Sequence, residues 1–488
     1  MYDFQEYLEM LEYYGASTAL IETESGTSCS YRELLGKVDV ISQYLLNSTG
    51  PGDRLLLEPM PRIWWTSTLL AMFQTGRVAV VVDKRMSPRM ITEITTRTKT
   101  KKTLTKQVLQ TIPQPDTRRP LPSLDPTQEA IILFTSGTWA KPKGVRLSQQ
   151  NLLQNLTDIR THIYTPNRKE LFLSILPVTH IFELMVGLLV PLASGAVVAA
   201  QDTFSPQEFQ KNLLHYRPVS LVAVPKILTL LERNISRRLP KFPGFNPRVV
   251  RIGNLTPRRL NRYLAWPIRR KLSSQLQNLF VGGAPLEITT EEFFWRLGIK
   301  VWAGYGLTET APIVAVNGAR GRRPGSVGTM LPSLEYAFSP KQELLLKGPS
   351  VFLGYTGQHP RRPEDYFNTG DCGYVEKGKL FLSGRTKNLV VYPSGDKLFC
   401  EDLEKVIREI TSQDDLAIVE LDTQLYLVTN QEISIELSKL NQALNNHVPA
   451  YVHVTSWVKY PNQKLPRTHT LKLSRGVLKD YVQTVLTE

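Results

Sequence analysis

Cysteine is scarce in this chain of 488 residues: there are three, Cys29, Cys372 and Cys400, odd in number and far apart. That spacing excludes both a disulfide framework and a Cys/His zinc site, and it fits a reducing compartment. No apolar run reaches the ~20 residues that a membrane-spanning helix needs. The longest, LMVGLLVPLASGAVVAA at 184–200, holds 17 residues without a charge but is interrupted by Pro191, Ser194 and Gly195. It reads as a buried helix, a turn at Ala193-Ser194-Gly195 and a buried strand. The first residues, MYDFQEYLEMLEYYG, are acidic and amphipathic. They lack the basic start and apolar centre of a secretion signal, so a cytoplasmic protein is expected. Zinc-finger spacings, RNP motifs, basic regions followed by heptads, internal repeats and low-complexity tracts are all missing, so no nucleic-acid partner is expected.

The rest of the composition is that of a globular protein, 42% hydrophobic and 21% charged, and the length suffices for two to four domains. The net charge of +15 is uneven. Residues 386–488 hold 11 Lys/Arg against 13 Asp/Glu, so the first 385 residues carry +17. Two basic stretches stand out, RTKTKK at 97–102 and RRLNRYLAWPIRRK at 258–271. A surface of this sign suits an acidic protein or an anionic membrane surface met peripherally. Helix-period and strand-period segments alternate to about residue 305, which predicts α/β layers around a mostly parallel sheet. From 325 to 383 short strands are punctuated by Gly328, Gly348, Gly354, Gly373 and Gly378, the pattern of a small β-barrel or antiparallel sheet. A module of about 100 residues follows Gly384.

Several strand ends carry chemistry. The apolar run AIILF at 130–134 leads into TSGTWAKPKGV. Thr135, Ser136 and Thr138 place hydroxyls around Gly137, which lets backbone N–H groups turn toward an anion, and Lys141 and Lys143 add charge. This is a cradle for polyphosphate, although its spacing is not that of the GxxxxGK[ST] loop. In LFVGGAPL at 279–286, Gly283, Ala284 and Pro285 let a flat ring approach the backbone. In WAGYGLTETAP at 302–312, Tyr305 can stack on a base, Gly306 opens the turn, Thr308 can donate to a phosphate, and Glu309 is a hard oxygen ligand suited to Mg²⁺. YFNTGDCGYV at 366–375 sets Asp371 on a tight turn after a glycine, where a carboxylate can accept both ribose hydroxyls. Arg385 follows in LSGRTKN, and LPRTHTLKLSR near the end carries Lys472.

In order and spacing these segments resemble the adenylate-forming superfamily of acyl-CoA synthetases, adenylation domains and luciferases, from SYREL at 30–34 to Arg475. That resemblance implies a fold: a large N-terminal domain (1–384) of stacked α/β layers plus a small β-barrel (about 325–383), then a small, mobile α+β C-terminal domain (385–488). It also implies a two-step chemistry. A carboxylate attacks the α-phosphate of ATP to give acyl-AMP and pyrophosphate, and a thiol of CoA, or the phosphopantetheine of an acidic acyl carrier protein, takes the acyl group.

Carried residue by residue, the resemblance gives Thr135, Ser136, Gly137, Thr138 and Lys143 the β- and γ-phosphates. Gly283, Ala284, Pro285, Tyr305 and Gly306 take the adenine, Thr308 the α-phosphate, Glu309 the Mg²⁺, and Asp371 with Arg385 the ribose. Lys472 reaches in from the small domain, Lys387 is the hinge, and His180 in LPVTHIFE stands beside the acyl site. That stretch and VAVPKIL at 222–228 look most like the long-chain fatty acyl branch, and only apolar residues follow Glu183, so a medium- to long-chain fatty acid is the expected substrate. Trp139, Ala140 and Leu471 depart from the pattern where Thr or Ser, Gly and Gly are usual. A weaker or silent acyl- and nucleotide-binding relative is the alternative they raise.

Overall fold

The computed structural model describes residues 3–487 except 115–117, 136–142, 204, 239–271, 319–320, 392–396, 412, 422–423, 450–451 and 468–472. Its two large sheets face one another across buried helices. The nine-stranded sheet runs in the order Thr329–Met330, Ile313–Asn317, Lys300–Gly306, Asn278–Val281, Ser220–Ala223, Leu171–Ser174, Val197–Ala200, Thr18–Glu22, Ser28–Ser30. Its neighbours from Lys300–Gly306 to Thr18–Glu22 are all parallel. The six-stranded sheet runs Gly354–Tyr355, Lys143–Ser148, Glu129–Thr135, Val78–Val81, Arg54–Leu57, Lys102–Leu104, parallel from Glu129–Thr135 onward. Both central regions read as continuous Val/Leu/Ile/Ala runs because each face is covered.

Sequence chemistry explains the helices between the layers. Helix Arg62–Thr75 has no polar face: Trp65, Leu69, Leu70, Ala71, Met72 and Phe73 are all buried, the mark of a helix packed on every side. It stops at Gly76, whose φ of 72° lets its N–H reach the Met72 and Phe73 carbonyls. Helix Tyr31–Ser48 begins with a capping box, the Ser30 hydroxyl accepting from the Glu33 N–H while the Glu33 carboxylate accepts from the Ser30 N–H at 2.8 Å. Residues 184–200 fold as the sequence predicts: wide π-type turns at Glu183–Leu189, a short helix Val190–Leu192, a turn and the strand Val197–Ala200, nearly all buried. Among the described residues no helix is long and apolar enough to cross a membrane.

Over 325–383, where a small β-barrel or antiparallel sheet is expected, the short strands find their pairing partners through contacts far along the chain. Glu335–Phe338, Glu343–Lys347, Phe367–Glu376 and Lys379–Arg385 make a four-stranded antiparallel sheet. Thr329–Met330 instead edges the nine-stranded sheet, and Gly354–Tyr355 edges the six-stranded one. After Arg385, a three-stranded sheet (Leu416–Leu421, Gln424–Thr429, Val454–Lys459) and the helices Cys400–Thr411, Leu437–Leu444 and Arg475–Thr487 enclose hydrophobic clusters of their own.

The three cysteines are free and buried. Within the basic run at 97–102, Lys101 pairs with Asp53 at 2.6 Å and the Lys102 ammonium lies over the Tyr44 ring at 4.4 Å, so part of that charge has internal partners. The run at 258–271 lies outside the described residues.

Candidate active site

Strand Lys300–Gly306 delivers the centre of the site. At its end Gly306 admits no side chain, since a Cβ there would lie 1.8 Å from the Pro312 carbonyl oxygen. The strand therefore turns sharply into the single helical turn Thr308–Thr310. The Thr310 hydroxyl locks that turn by accepting from the Leu307 N–H at 3.1 Å and donating to the Pro312 carbonyl at 2.7 Å. Thr308 and Glu309 are half-buried on it.

Two short side-chain relays leave this turn region. In the first, the Tyr305 hydroxyl donates to Asp371 Oδ2 at 2.7 Å, and Arg385 Nε donates to Asp371 Oδ1 at 2.8 Å. Asp371 lies inside strand Phe367–Glu376, opposite Arg385 in the register, where the sequence placed it on a tight turn. Gly370, with φ of 70°, supplies the local kink that the turn reading detected. Tyr305, expected to stack through its ring, is also bound through its hydroxyl to the carboxylate expected on the ribose. Burial first, and then the Asp371 charge, push its phenol well above the ordinary range, so it keeps its proton and donates a hydrogen bond.

In the second relay, the Tyr355 hydroxyl donates to Glu309 Oε1 at 2.8 Å, and the Lys143 ammonium sits 5.1 Å from the centre of the Tyr355 ring. Together the relays join Lys143 of the six-stranded sheet, Tyr305 and Glu309 from the end of the nine-stranded sheet, and Asp371 and Arg385 of the four-stranded sheet. Tyr355 was not found in the sequence: a two-residue strand has no periodicity to read, and only the Gly354 turn marked the place.

The remaining expected residues that are described fall on other elements. Gly283, Ala284 and Pro285 are exposed just beyond strand Asn278–Val281, and Gly283 has φ of 87°. The Phe182 ring packs at Gly282, where a Cβ would meet it at 3.1 Å, so the segment carrying His180 abuts the Gly-Gly-Ala-Pro turn. That segment is pinned again by the Thr179 hydroxyl, which donates to Asp83 Oδ2 at 2.9 Å. His180 is half-buried, its N–H donating to the Pro177 carbonyl at 3.0 Å. Lys387 lies in the turn Thr386–Asn388, and burial, with Arg385 and Arg475 nearby, lowers the pKa of its ammonium. Thr135 ends strand Glu129–Thr135. Ser136, Gly137, Thr138 and Lys472 lie outside the described residues, as do Trp139, Ala140 and Leu471.

Beneath the His180 segment is a buried charge cluster that sequence reading also missed. Arg62 donates to Ser174 Oγ and Asp202 Oδ1, each at 2.9 Å, and the Ser174 hydroxyl donates to the fully buried Glu183 carboxylate.

The model of the family described as "AMP-binding enzyme" matches residues 97–356, more than half of the chain. "Probable 4-coumarate–CoA ligase 1" of Dictyostelium discoideum is 28% identical over 394 residues, covering 74% of this chain and 65% of its own length. A long-chain-fatty-acid–CoA ligase of Mycobacterium bovis is 27% identical over 314 residues, covering 59% and 52%. The chain thus spans roughly half to two thirds of the length of these relatives. Among solved structures, o-succinylbenzoate CoA synthetase of Bacillus subtilis with its acyl-adenylate superposes with a TM-score of 0.78 at 19% identity, over 97% of this chain and 98% of the other. ATP-bound MatB from Rhodopseudomonas palustris gives 0.76 at 20% identity, over 98% and 99%. The fold is therefore the mixed α/β fold of adenylate-forming enzymes, with its larger N-terminal and smaller C-terminal part, and the chain belongs to the AMP-binding enzyme family.

Proposed function

We propose that this protein activates a carboxylic acid with ATP and passes the acyl group to a thiol, an AMP-forming acid–thiol ligase. The observation that carries the reading is the pair of relays that bring Lys143, Glu309, Tyr305, Asp371 and Arg385 together from three sheets. Adenine enters at Gly283-Ala284-Pro285 and against Tyr305 and Gly306. The ribose hydroxyls donate to Asp371 lone pairs that Tyr305 and Arg385 leave. Thr308 donates to the α-phosphate, and Thr135, Ser136, Gly137, Thr138 and Lys143 hold the β- and γ-phosphates. Among the described residues no three His, Cys, Asp or Glu cluster as a metal cage. One carboxylate, Glu309, fits Mg²⁺, which is commonly held by one or two carboxylates with phosphate oxygens and water. Bound there, Mg²⁺ would neutralise phosphate charge.

A carboxylate oxygen of the acid then attacks the α-phosphorus. The bond from that phosphorus to the bridging oxygen breaks, and pyrophosphate leaves. Lys472 sets an ammonium between the two anions as they meet, and His180 borders the acid. The small domain, divided from the large one at Gly384-Arg385, turns about Lys387 and withdraws Lys472. A thiol sulfur next attacks the acyl carbonyl, its proton departs, and AMP is released.

A medium- to long-chain fatty acid is the proposed acid. Residues 184–192 are buried and apolar, and Glu183 is already engaged by Ser174, so an amino-acid ammonium would find no free carboxylate among them. CoA is the proposed acceptor, in keeping with the names of the relatives, and an acidic carrier protein suits the +17 of the first 385 residues. ATP–pyrophosphate exchange over C8–C18 acids, 4-coumarate, o-succinylbenzoate and amino acids tests the reading. Exchange with C8–C18 acids is expected. Exchange with aryl acids alone would move the substrate class, and no pyrophosphate release with any acid would leave a silent nucleotide-binding protein. Thioester formation with CoA against holo-carrier protein separates the acceptors.

Tyr305→Phe removes the donor to Asp371 Oδ2 and leaves the carboxylate less firmly aimed. ATP affinity, read by calorimetry, is expected to fall about tenfold, the worth of one hydrogen bond to a charged group. Unchanged affinity would show that the Tyr305 hydroxyl does not aim Asp371 at the ribose.

A further inference from the structure

Tyr355 occupies the joint between two parts of the proposed site that lie more than 160 residues apart in the chain. Gly354–Tyr355 pairs antiparallel with strand Lys143–Ser148, Tyr355 opposite Val145 and Gly354 opposite Arg146. The Thr356 N–H donates to the Gly144 carbonyl at 2.8 Å, and the Leu353 N–H to the Arg146 carbonyl at 2.9 Å. Gly144 is needed for so close an approach, since a Cβ there would lie 2.6 Å from Thr356 Oγ1. The other side of the same segment is fastened to the Thr308–Thr310 turn, where the Phe352 N–H donates to the Glu309 carbonyl at 2.9 Å. The Phe352 ring meets the Tyr355 ring edge-on at 4.9 Å, which leaves the phenol little freedom to swing. From this fixed position the hydroxyl reaches Glu309 Oε1 and the ring lies beside the Lys143 ammonium.

We propose that Tyr355 is a positioning residue for the divalent-ion and polyphosphate region: its hydroxyl fixes the Glu309 carboxylate, which would hold the ion, and its ring steadies the Lys143 ammonium, which would face the phosphates. The inference rests on the reading of Glu309 as the carboxylate that would hold the metal ion. A carboxylate with one oxygen already tethered presents the other without having to be ordered on binding, and partners that orient a metal ligand typically contribute 10–100-fold in metal affinity.

The test is Mn²⁺ titration of the full chain with α,β-methylene-ATP, reading free Mn²⁺ by electron paramagnetic resonance. A parallel calorimetric titration of the same nucleotide in EDTA measures metal-free binding. Tyr355→Phe is expected to weaken Mn²⁺ binding about tenfold and leave metal-free binding unchanged. Tyr355→Leu, which also removes the ring, should weaken both. Glu309→Gln should lose at least as much Mn²⁺ affinity as Tyr355→Phe, and the double variant should be no worse than Glu309→Gln alone, because the phenol acts through that carboxylate. Near-UV circular dichroism matching the parent's confirms that each variant is folded. Parent-like Mn²⁺ affinity in Tyr355→Phe with affinity lost in Glu309→Gln overturns the positioning role, as does additivity in the double variant. Parent-like affinity in Glu309→Gln overturns the underlying metal reading instead, and the inference with it.

Discussion

Replacing Lys472 by Ala is expected to lower ATP–pyrophosphate exchange by about 10²–10³-fold while leaving the affinity for ATP within a few-fold of the parent. The substrate acid is an anion and must reach a phosphorus that is itself part of a polyanion. At ~4 Å, two unit charges near a protein surface repel by about 4 kcal/mol, so an ammonium brought between them acts mainly in the transition state. Removing one such preorganised charge or donor commonly costs two to three powers of ten in rate. Because Lys472 is proposed to leave the site before the thiol attacks, thioester formation from preformed acyl-adenylate should persist at a rate near the parent's. Two measurements on one variant therefore separate the half-reactions. Exchange retained within threefold would remove Lys472 from the adenylation step, and equal losses in both steps would indicate a damaged small domain.

Arg62→Met is expected to lower the unfolding free energy by about 3 kcal/mol at pH 8, the low end for breaking a buried ion pair. The Arg62 side chain is 1% exposed and held by Ser174 and Asp202, next to the fully buried Glu183. Burial pushes the Glu183 carboxyl up from 4.5 to about 7, with Arg62 and Ser174 opposing that rise. The folded state thus binds this proton more tightly than the unfolded chain. The stability it contributes is fully present below pH 4.5 and is lost as pH rises through 7, a change of about 3 kcal/mol at most. Arg62→Met removes the neighbouring cation, pushes the carboxyl still higher and steepens the loss on the alkaline side. Glu183→Gln cannot ionise and should flatten the curve. Melting temperature from pH 5.5 to 8.5 reads both, and curves for Glu183→Gln running parallel to the parent's would show that Glu183 does not titrate in this window.

Much of this architecture was legible because its signals are local. The Ala193-Ser194-Gly195 turn separates a buried helical segment from a buried strand, and helix-period and strand-period segments alternate to about residue 305, each signal set by neighbouring residues. The nucleotide-directed residues were legible as motifs at strand ends, since the motif and its scaffold share one segment. The bonds joining those motifs were not legible. The Thr356 contact with Gly144 spans 212 positions, and Tyr305 with Asp371 spans 66, distances over which no periodicity carries information. Asp371 reads as a turn residue because Gly370 bends the chain, whereas pairing with Lys379–Arg385 makes it a strand residue. Arg62 gave no signal at all, since a charged residue at the start of a helix is ordinarily solvated, and the partners that hold it buried, Ser174 and Asp202, lie more than 100 residues away.

The three sheets that contribute to the two relays have a mechanical consequence. A nucleotide or a bisubstrate inhibitor seated across them would add its own contacts to the few side-chain bonds that already join these layers. At 100 times its dissociation constant such a molecule adds about 2.7 kcal/mol against unfolding. It would thus act as a pharmacological chaperone, rescuing folding-impaired variants whose lesions lie far from the place where it binds.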